Sequence, residues 1–170
     1  MAREEKKAKF EQSGKRRSPW LILIIVLLVT GAAAAWALLP KGASGQSQLT
    51  VKDGAVRVPA SEFADGTAKF YTVEGSRGEI GFFLVKSADG VIRAAFDTCD
   101  VCYKEKKGYR QEGDNMVCNN CNQTFRTDLV NVVKGGCNPA PLQRELRGDQ
   151  VVIQLAALEQ GSWYFNGHPK

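Results

Sequence analysis

The chain has 170 residues and a formal net charge of +5, with 23 Lys and Arg residues against 18 Asp and Glu; that length suits one ordinary domain plus an appendage. The excess charge is confined to the N-terminus: seven basic and three acidic side chains lie before Leu21, whereas the chain from Gln46 onward contains equal numbers of the two kinds. A nucleic-acid-binding domain carries its positive charge on the folded part, so we expect no nucleic-acid partner.

Residues 1–19 are polar and basic, and we interpret them as a cytoplasmic tail. Residues 20–39 contain no charged side chain, and a helix of about 20 residues can cross a hydrocarbon core of about 30 Å. Trp20 and Trp36 lie near the two ends of this segment, where aromatic side chains favour the membrane interface. By the positive-inside rule, the sequence predicts a single-pass protein of the cytoplasmic membrane, with its N-terminus inside and residues 40–170 outside.

A cleaved signal peptide is the alternative to a retained anchor, because Ala35-Trp36-Ala37 fits a small-residue cleavage site. The apolar core of a signal peptide is about 7–15 residues, shorter than this segment, so we favour the anchor. Either topology takes the cysteine-containing part of the chain out of the cytoplasm. Residues 40–47 have the composition of a flexible linker, which predicts an extracytoplasmic domain over residues 48–170.

The sequence from Leu49 onward predicts a mainly β (α+β) domain. Three β-prone segments are joined by turns that contain glycine, which is typical of an antiparallel meander. The third of these strands ends just before Cys99, so it would give a metal ligand a rigid support. The predicted strands are 55–58, 67–74, 79–86, 91–96, 115–117 and 149–155, with a short helix at 156–160; residues 127–134 fit either a helix or a strand.

All five cysteines lie in one stretch of the chain, which begins at Cys99 and ends at Cys137. Cys99 and Cys102 form a first CxxC pair, and Cys118 and Cys121 form a second; the segment between the pairs is as long as the segment that precedes Cys137. Two CxxC pairs at this spacing predict one centre with four thiolate ligands. The intervening segment, a loop or loose hairpin, would bring the pairs opposite each other around zinc, iron or an iron–sulfur cluster.

The cysteines also permit other interpretations. Zinc could serve only as a structural staple of an interaction module, and an oxidising compartment would allow disulfides. Because five is an odd number, Cys137 could be a fifth ligand, an alternative ligand or a free thiol. A thiol–disulfide oxidoreductase usually places its CxxC at the start of a helix, whereas a β-meander precedes Cys99 here. We expect Asp97 and Asp100 to support the site or simply lie on the surface rather than bind metal, and His168 to be no ligand.

The cysteine region resembles the FtrD-like family, which is described as membrane-bound iron–sulfur-containing proteins linked with high-affinity bacterial iron permeases. The resemblance extends more loosely from about residue 56 to residue 165. It is carried by four segments: AAFDTCDVCY at 94–103, GYRQEGD at 108–114, VCNNC at 117–121 and GGCNPAPL at 135–142.

The resemblance implies an iron–sulfur cluster and a role in electron transfer or metal handling within a bacterial iron-uptake system. Many relatives have several membrane spans before this domain, and this chain, with one predicted span, resembles a domain tethered beside an iron permease or a redox partner. Zinc is the alternative metal. The implied cluster ligands are Cys99, Cys102, Cys118 and Cys121, with Cys137 as a further candidate.

Overall fold

The computed structural model describes residue 20 and residues 45–166. The predicted cytoplasmic tail, the predicted transmembrane helix beyond Trp20 and most of the predicted linker therefore lie outside the described residues. Within the described ranges, no helix is both long enough and apolar enough to cross a membrane. Residues 45–166 belong to one compact unit, which contains all five cysteines.

The described domain consists of short strands with a few helical turns, which confirms the prediction of a mainly β fold with small antiparallel sheets. The predicted strands and the helix after the last strand are found close to their predicted bounds. The strands are β1 (Ser47–Leu49), β2 (Ala55–Pro59), β3 (Lys69–Gly75), β4 (Gly78–Lys86), β5 (Ile92–Phe96), β6 (Tyr109–Glu112), β7 (Asn115–Cys118), β8 (Thr124–Arg126), β9 (Glu145–Arg147) and β10 (Gln150–Gln154). The helices are α1 (Leu155–Gln160) and α2 (Trp163–Asn166), with 3₁₀ turns at Ala60–Phe63, Tyr103–Glu105 and Thr127–Leu129.

The predicted meander forms a four-stranded sheet in the order β1-β3-β4-β5. Strands β3, β4 and β5 are antiparallel neighbours, whereas β1 pairs with β3 in parallel. Strand β1 was not predicted from the sequence, because its three residues, Ser-Gln-Leu, directly follow a stretch with the composition of a linker.

Strand β4 is buried on both faces, and successive side chains contribute to two different cores. Phe82 and Leu84 belong to the main core, together with β2, β10 and Leu158 of α1. Phe83 and Val85 point to the opposite face and belong to a second apolar cluster, which also contains Cys99 and Cys118. Side chains alternate between the two faces of a strand, so β4 forms the wall between the main core and the cysteine region.

Two three-stranded sheets complete the domain. In one, β10 lies between β2 and β9, and all its pairings are antiparallel. In the other sheet, β6 and β7 form a hairpin, and β8 pairs with the other edge of β7. The segment between the CxxC pairs, predicted as a loop or loose hairpin, is thus a regular β-hairpin after one 3₁₀ turn. The ambiguous residues 127–134 form a 3₁₀ turn followed by further turns and no strand.

The C-terminal helical turns close the main core, as the sequence predicts. Tyr164 and Phe165 pack against the main core, with ring centroids 6.0 and 6.3 Å from that of Phe96. Gly161, between the two helices, is buried directly against the same ring. A Cβ at this position would lie 2.6 Å from a ring carbon of Phe96, which is far inside van der Waals contact.

We predict that Gly161→Ala lowers the free energy of unfolding by about 1–3 kcal/mol, because the added methyl group overpacks the core against Phe96. Gly45→Ala is the matched control, since a Cβ at Gly45 meets no atom within 4 Å. Urea unfolding followed by tryptophan fluorescence measures both variants. Equal stability of the two variants would contradict the packing described here.

Candidate metal centre

The two CxxC corners lie at the ends of two strands that belong to different sheets. Cys99 follows β5 closely, and Cys118 is the last residue of β7. Both cysteines are almost fully buried, with 1% and 2% of their surface exposed. The apolar side chains that cover them include Phe83 of β4 and Met116 of β7. Packing of the hairpin on the outer face of the meander therefore sets the separation of the two corners.

The second corner is a tight turn built on backbone hydrogen bonds. The N–H of Asn122 donates to the carbonyl oxygen of Cys118 at 2.9 Å, and the N–H of Cys118 donates to the carbonyl oxygen of Gln123 at 3.0 Å. Asn122 has a φ of 57°, a left-handed conformation that asparagine tolerates better than most residues. An asparagine at this position thus allows the chain to reverse and present Cys121 beside Cys118.

The five thiols converge on one region of the domain, and all five are free cysteines. The Sγ atoms of Cys99, Cys102 and Cys118 lie within 4.8 Å of one another, and so do those of Cys102, Cys121 and Cys137. Cys102 belongs to both groups. The structure thus brings together every cysteine of the two predicted pairs and adds Cys137, whose place the sequence pattern left open.

The sulfur atoms accept hydrogen bonds from nearby N–H groups. The backbone N–H of Cys102 donates to Sγ of Cys99 at 3.1 Å, and the side-chain amide of Asn120 donates to Sγ of Cys102 at 3.4 Å. Such N–H···S bonds stabilise thiolates and orient them, which is what metal and cluster ligands require.

The protonation of the thiols differs across the group. Burial raises the pKa of Cys118 to about 11 and that of Cys137 to about 12. The backbone N–H of Gln123 lowers the pKa of Cys121. A metal binds the thiolate form, so binding releases protons, and the apparent affinity for metal increases as the pH rises.

A small cavity lies among the sulfur atoms and tests whether they fit a metal. Its volume is about 10 Å³, close to the space needed for one water molecule. Sulfur ligands around one tetrahedral ion are about 3.8 Å apart, given a metal–sulfur distance of about 2.3 Å. Within each group of three, the spacings within 4.8 Å therefore suit a single metal ion with little movement. Cys121 belongs to the group of Cys102 and Cys137, so the four cysteines of the two CxxC pairs do not form one group at this spacing. Cys99, Cys102 and Cys118 line the cavity, together with Tyr109 and Asn120.

Asp97 links the end of β5 to strand β6, which pairs with β7. Its carboxylate accepts hydrogen bonds from the backbone N–H of Tyr109 at 2.7 Å and from the side chain of Gln46 at 2.8 Å. Burial raises the pKa of Asp97 to about 6. Asp100, also expected to support the site, accepts a hydrogen bond from the hydroxyl of Tyr164.

The approach of Asp97 to the hairpin depends on Gly108. A Cβ at Gly108 would lie 2.6 Å from Oδ1 of Asp97 and closer still to Oδ2. Gly108 also has a φ of +63°, which disfavours any other residue. The carbonyl of Gly108 accepts the N–H of Asn119 at 3.0 Å, next to the second corner.

The comparison with protein families gives a match that spans the whole centre. The profile described as membrane iron-sulfur containing protein FtrD-like matches residues 63–165. The chain belongs to the FtrD-like family. The match covers more than half of the chain and contains all five cysteines. The searches of curated proteins and of solved structures found no match.

The FtrD-like match begins at Phe63, close to the start of the predicted resemblance, and confirms the family. Sequence reasoning nevertheless missed Gly108 and Tyr109 as parts of the site. Both lie well before Cys118 in the sequence, and only the hairpin pairing brings Tyr109 opposite Cys118. A glycine followed by an aromatic residue, ahead of a strand that ends in CxxC, was the available signal.

We predict that Gly108→Ala weakens both folding and metal retention more than Gly113→Ala does. Both glycines lie on the hairpin with positive φ, +63° and +55°, so both variants lose about 1–2 kcal/mol to backbone strain. Only position 108 adds an overlap with Asp97, worth about another 1–3 kcal/mol. Urea unfolding and metal content per chain measure the difference. The same loss in both variants would show that Asp97 has no role in placing the hairpin.

Proposed function

We propose that this chain binds an iron–sulfur cluster through its cysteine group and transfers electrons in a bacterial iron-uptake system. The observation that carries the proposal is the convergence of five free thiols from two CxxC corners and the loop of Cys137. The description of the FtrD-like family as iron–sulfur containing favours iron over other thiophilic metals.

We assign the cluster ligands as Cys99, Cys102, Cys118 and Cys121, with Cys137 as a fifth thiol within reach. When bound, the cluster supplies a one-electron redox couple whose potential depends on hydrogen bonds to sulfur and on solvent exposure. The chain's own residues hold the thiolates in place, and the backbone N–H of Cys102 stabilises one of them. The apolar cluster around Phe83 keeps water from the inner side of the group.

The outer side of the group supports a transfer role. Cys121 is exposed, whereas Cys99 and Cys118 are buried. An electron could therefore enter or leave at the side of Cys121 without any rearrangement of the domain. Val101, inside the first CxxC, is 62% exposed, so an apolar side chain lies at the surface between Cys99 and Cys102. Exposed apolar side chains beside a redox centre suit a transient contact with a partner protein.

The family is described as a membrane protein, and we propose that residues 20–39 anchor this chain in the cytoplasmic membrane. The basic residues of 1–19 would keep the N-terminus inside, and residues 48–170 would form the extracytoplasmic domain. The partner would be an iron permease complex or a redox protein that exchanges electrons with the centre. In this arrangement the domain would lie at the outer face of the membrane, beside that partner.

Two other functions use the same cysteines. A structural zinc site needs the same four thiolates and no redox chemistry. A thiol–disulfide oxidoreductase needs one reactive CxxC at the start of a helix. Here the first corner leads into a short 3₁₀ turn, Tyr103–Glu105, and the second follows strand β7. Each pair also lies within reach of a thiol from outside the pair, which favours a shared metal over an isolated dithiol.

We predict that the full chain, purified in detergent without oxygen, is coloured and contains iron and acid-labile sulfide in equal amounts. Metal analysis, sulfide analysis and visible absorption before and after dithionite test this. A colourless protein with one zinc ion per chain would refute the redox function. A metal-free protein with all thiols titratable would favour the oxidoreductase.

We predict that Cys102→Ser lowers iron content more than Cys137→Ser does, because Cys102 belongs to both groups of three thiols. Serine keeps the size of the side chain but is a poor ligand for a thiophilic metal. Iron per chain, with far-UV circular dichroism as a control for folding, measures both variants. Equal iron loss would make Cys137 as important as the ligands of the CxxC pairs.

A further inference from the structure

Tyr109 has a fixed position next to the cysteine group. It is the first residue of β6 and pairs in register with Cys118. Its side chain is 5% exposed, and its ring packs against those of Phe83 and Phe125, with centroid distances of 6.1 and 6.3 Å. Its backbone N–H is bound by Asp97. Neither the ring nor the backbone of Tyr109 can move without breaking these contacts.

The hydroxyl of Tyr109 reaches two parts of the centre. It donates a hydrogen bond to the carbonyl oxygen of Cys137 at 2.7 Å. The side chain also borders the small cavity that Cys99, Cys102 and Cys118 line. The phenol of a tyrosine carries one hydrogen at neutral pH, so it is a hydrogen-bond donor to the atoms around it.

We propose that Tyr109 is a positioning residue that tunes the centre. Its hydroxyl holds the loop of Cys137 through the carbonyl oxygen, and it shares its hydrogen with the sulfur of Cys99 when that sulfur is a thiolate. A thiolate offers only lone pairs, and the N–H of Cys102 is the other donor that reaches this sulfur in the described structure. The inference rests on the proposed function, because it assumes that the thiols hold a metal.

The physical consequence concerns the reduction potential. Reduction adds negative charge to the cluster and its thiolates. A hydrogen bond to a ligand sulfur stabilises that charge and so raises the potential. The hydrogen bond to the carbonyl of Cys137 slows metal release, because a loop held at one point opens less often. Loss of the hydroxyl should therefore lower the reduction potential and increase the rate of metal release.

The test is Tyr109→Phe in the full chain, purified anaerobically with its cluster. Phenylalanine keeps the ring between Phe83 and Phe125, so the change removes only the hydroxyl. We expect a more negative potential, with an oxidised-to-reduced ratio about tenfold higher at the wild-type midpoint, equivalent to about 59 mV for one electron. We also expect iron release to excess bipyridine to be about fivefold faster, from the loss of one hydrogen bond.

Tyr71→Phe is the matched control. Tyr71 is also buried in the main core, away from the cysteines, and its hydroxyl donates a hydrogen bond to Glu62. The proposal is supported if only Tyr109→Phe changes the potential and the release rate. It is overturned if the two variants match each other and the wild type. If Tyr109→Phe retains no cluster, the substitute is 3-fluorotyrosine at position 109 of the otherwise wild-type chain. Its more acidic phenol should raise the reduction potential. An unchanged potential would overturn the proposal.

Failure of this inference is distinguishable from failure of the proposed function. A wild-type protein that contains zinc and no sulfide refutes the redox function whatever Tyr109 does. An iron–sulfur protein whose potential is the same with and without the Tyr109 hydroxyl leaves the redox function intact and removes only the tuning role.

Discussion

The alternation of side chains along β4 is the constraint on which the rest of the domain depends. One face of this strand supplies Phe82 and Leu84 to the main core, and the other supplies Phe83 and Val85 to the cluster around the cysteines. A strand buried on both faces has one tolerable register, since a slip of one residue would exchange the two sets of side chains. The position of the cysteine hairpin thus follows from the packing of the main core.

Much of the fold could be predicted from the sequence because the signals are local. The strands of the meander are β-prone and end at glycine-containing turns such as Asp89-Gly90, and their pairing follows the order of the chain. The convergence of the two CxxC pairs was also predictable, since the spacing between them permits a hairpin. The strands β1, β8 and β9 are very short and carry little apolar pattern, so they could not be predicted without the structure.

The contacts that hold the cysteine corners in place could not be predicted in the same way. The hydrogen bond from the N–H of Tyr109 to Asp97 joins strands of two different sheets. Such a contact leaves no periodic pattern in the sequence from which it could be predicted. The position of Cys137 beside Cys102 and Cys121 could not be predicted either, because a single cysteine has no partner at a characteristic spacing. Its position depends on long-range contacts, among them the hydrogen bond from Tyr109.

The uneven burial of the five thiols has a consequence for how the protein is damaged. Oxidants such as peroxide attack accessible thiolates first and convert them to sulfenic and then to higher acids. Cys121 is the exposed cysteine, and its pKa is lowered. Oxidation of the five thiols would therefore begin at Cys121 and reach the buried thiols later. Cys99 and Cys118 are buried, so they would be the last to be modified.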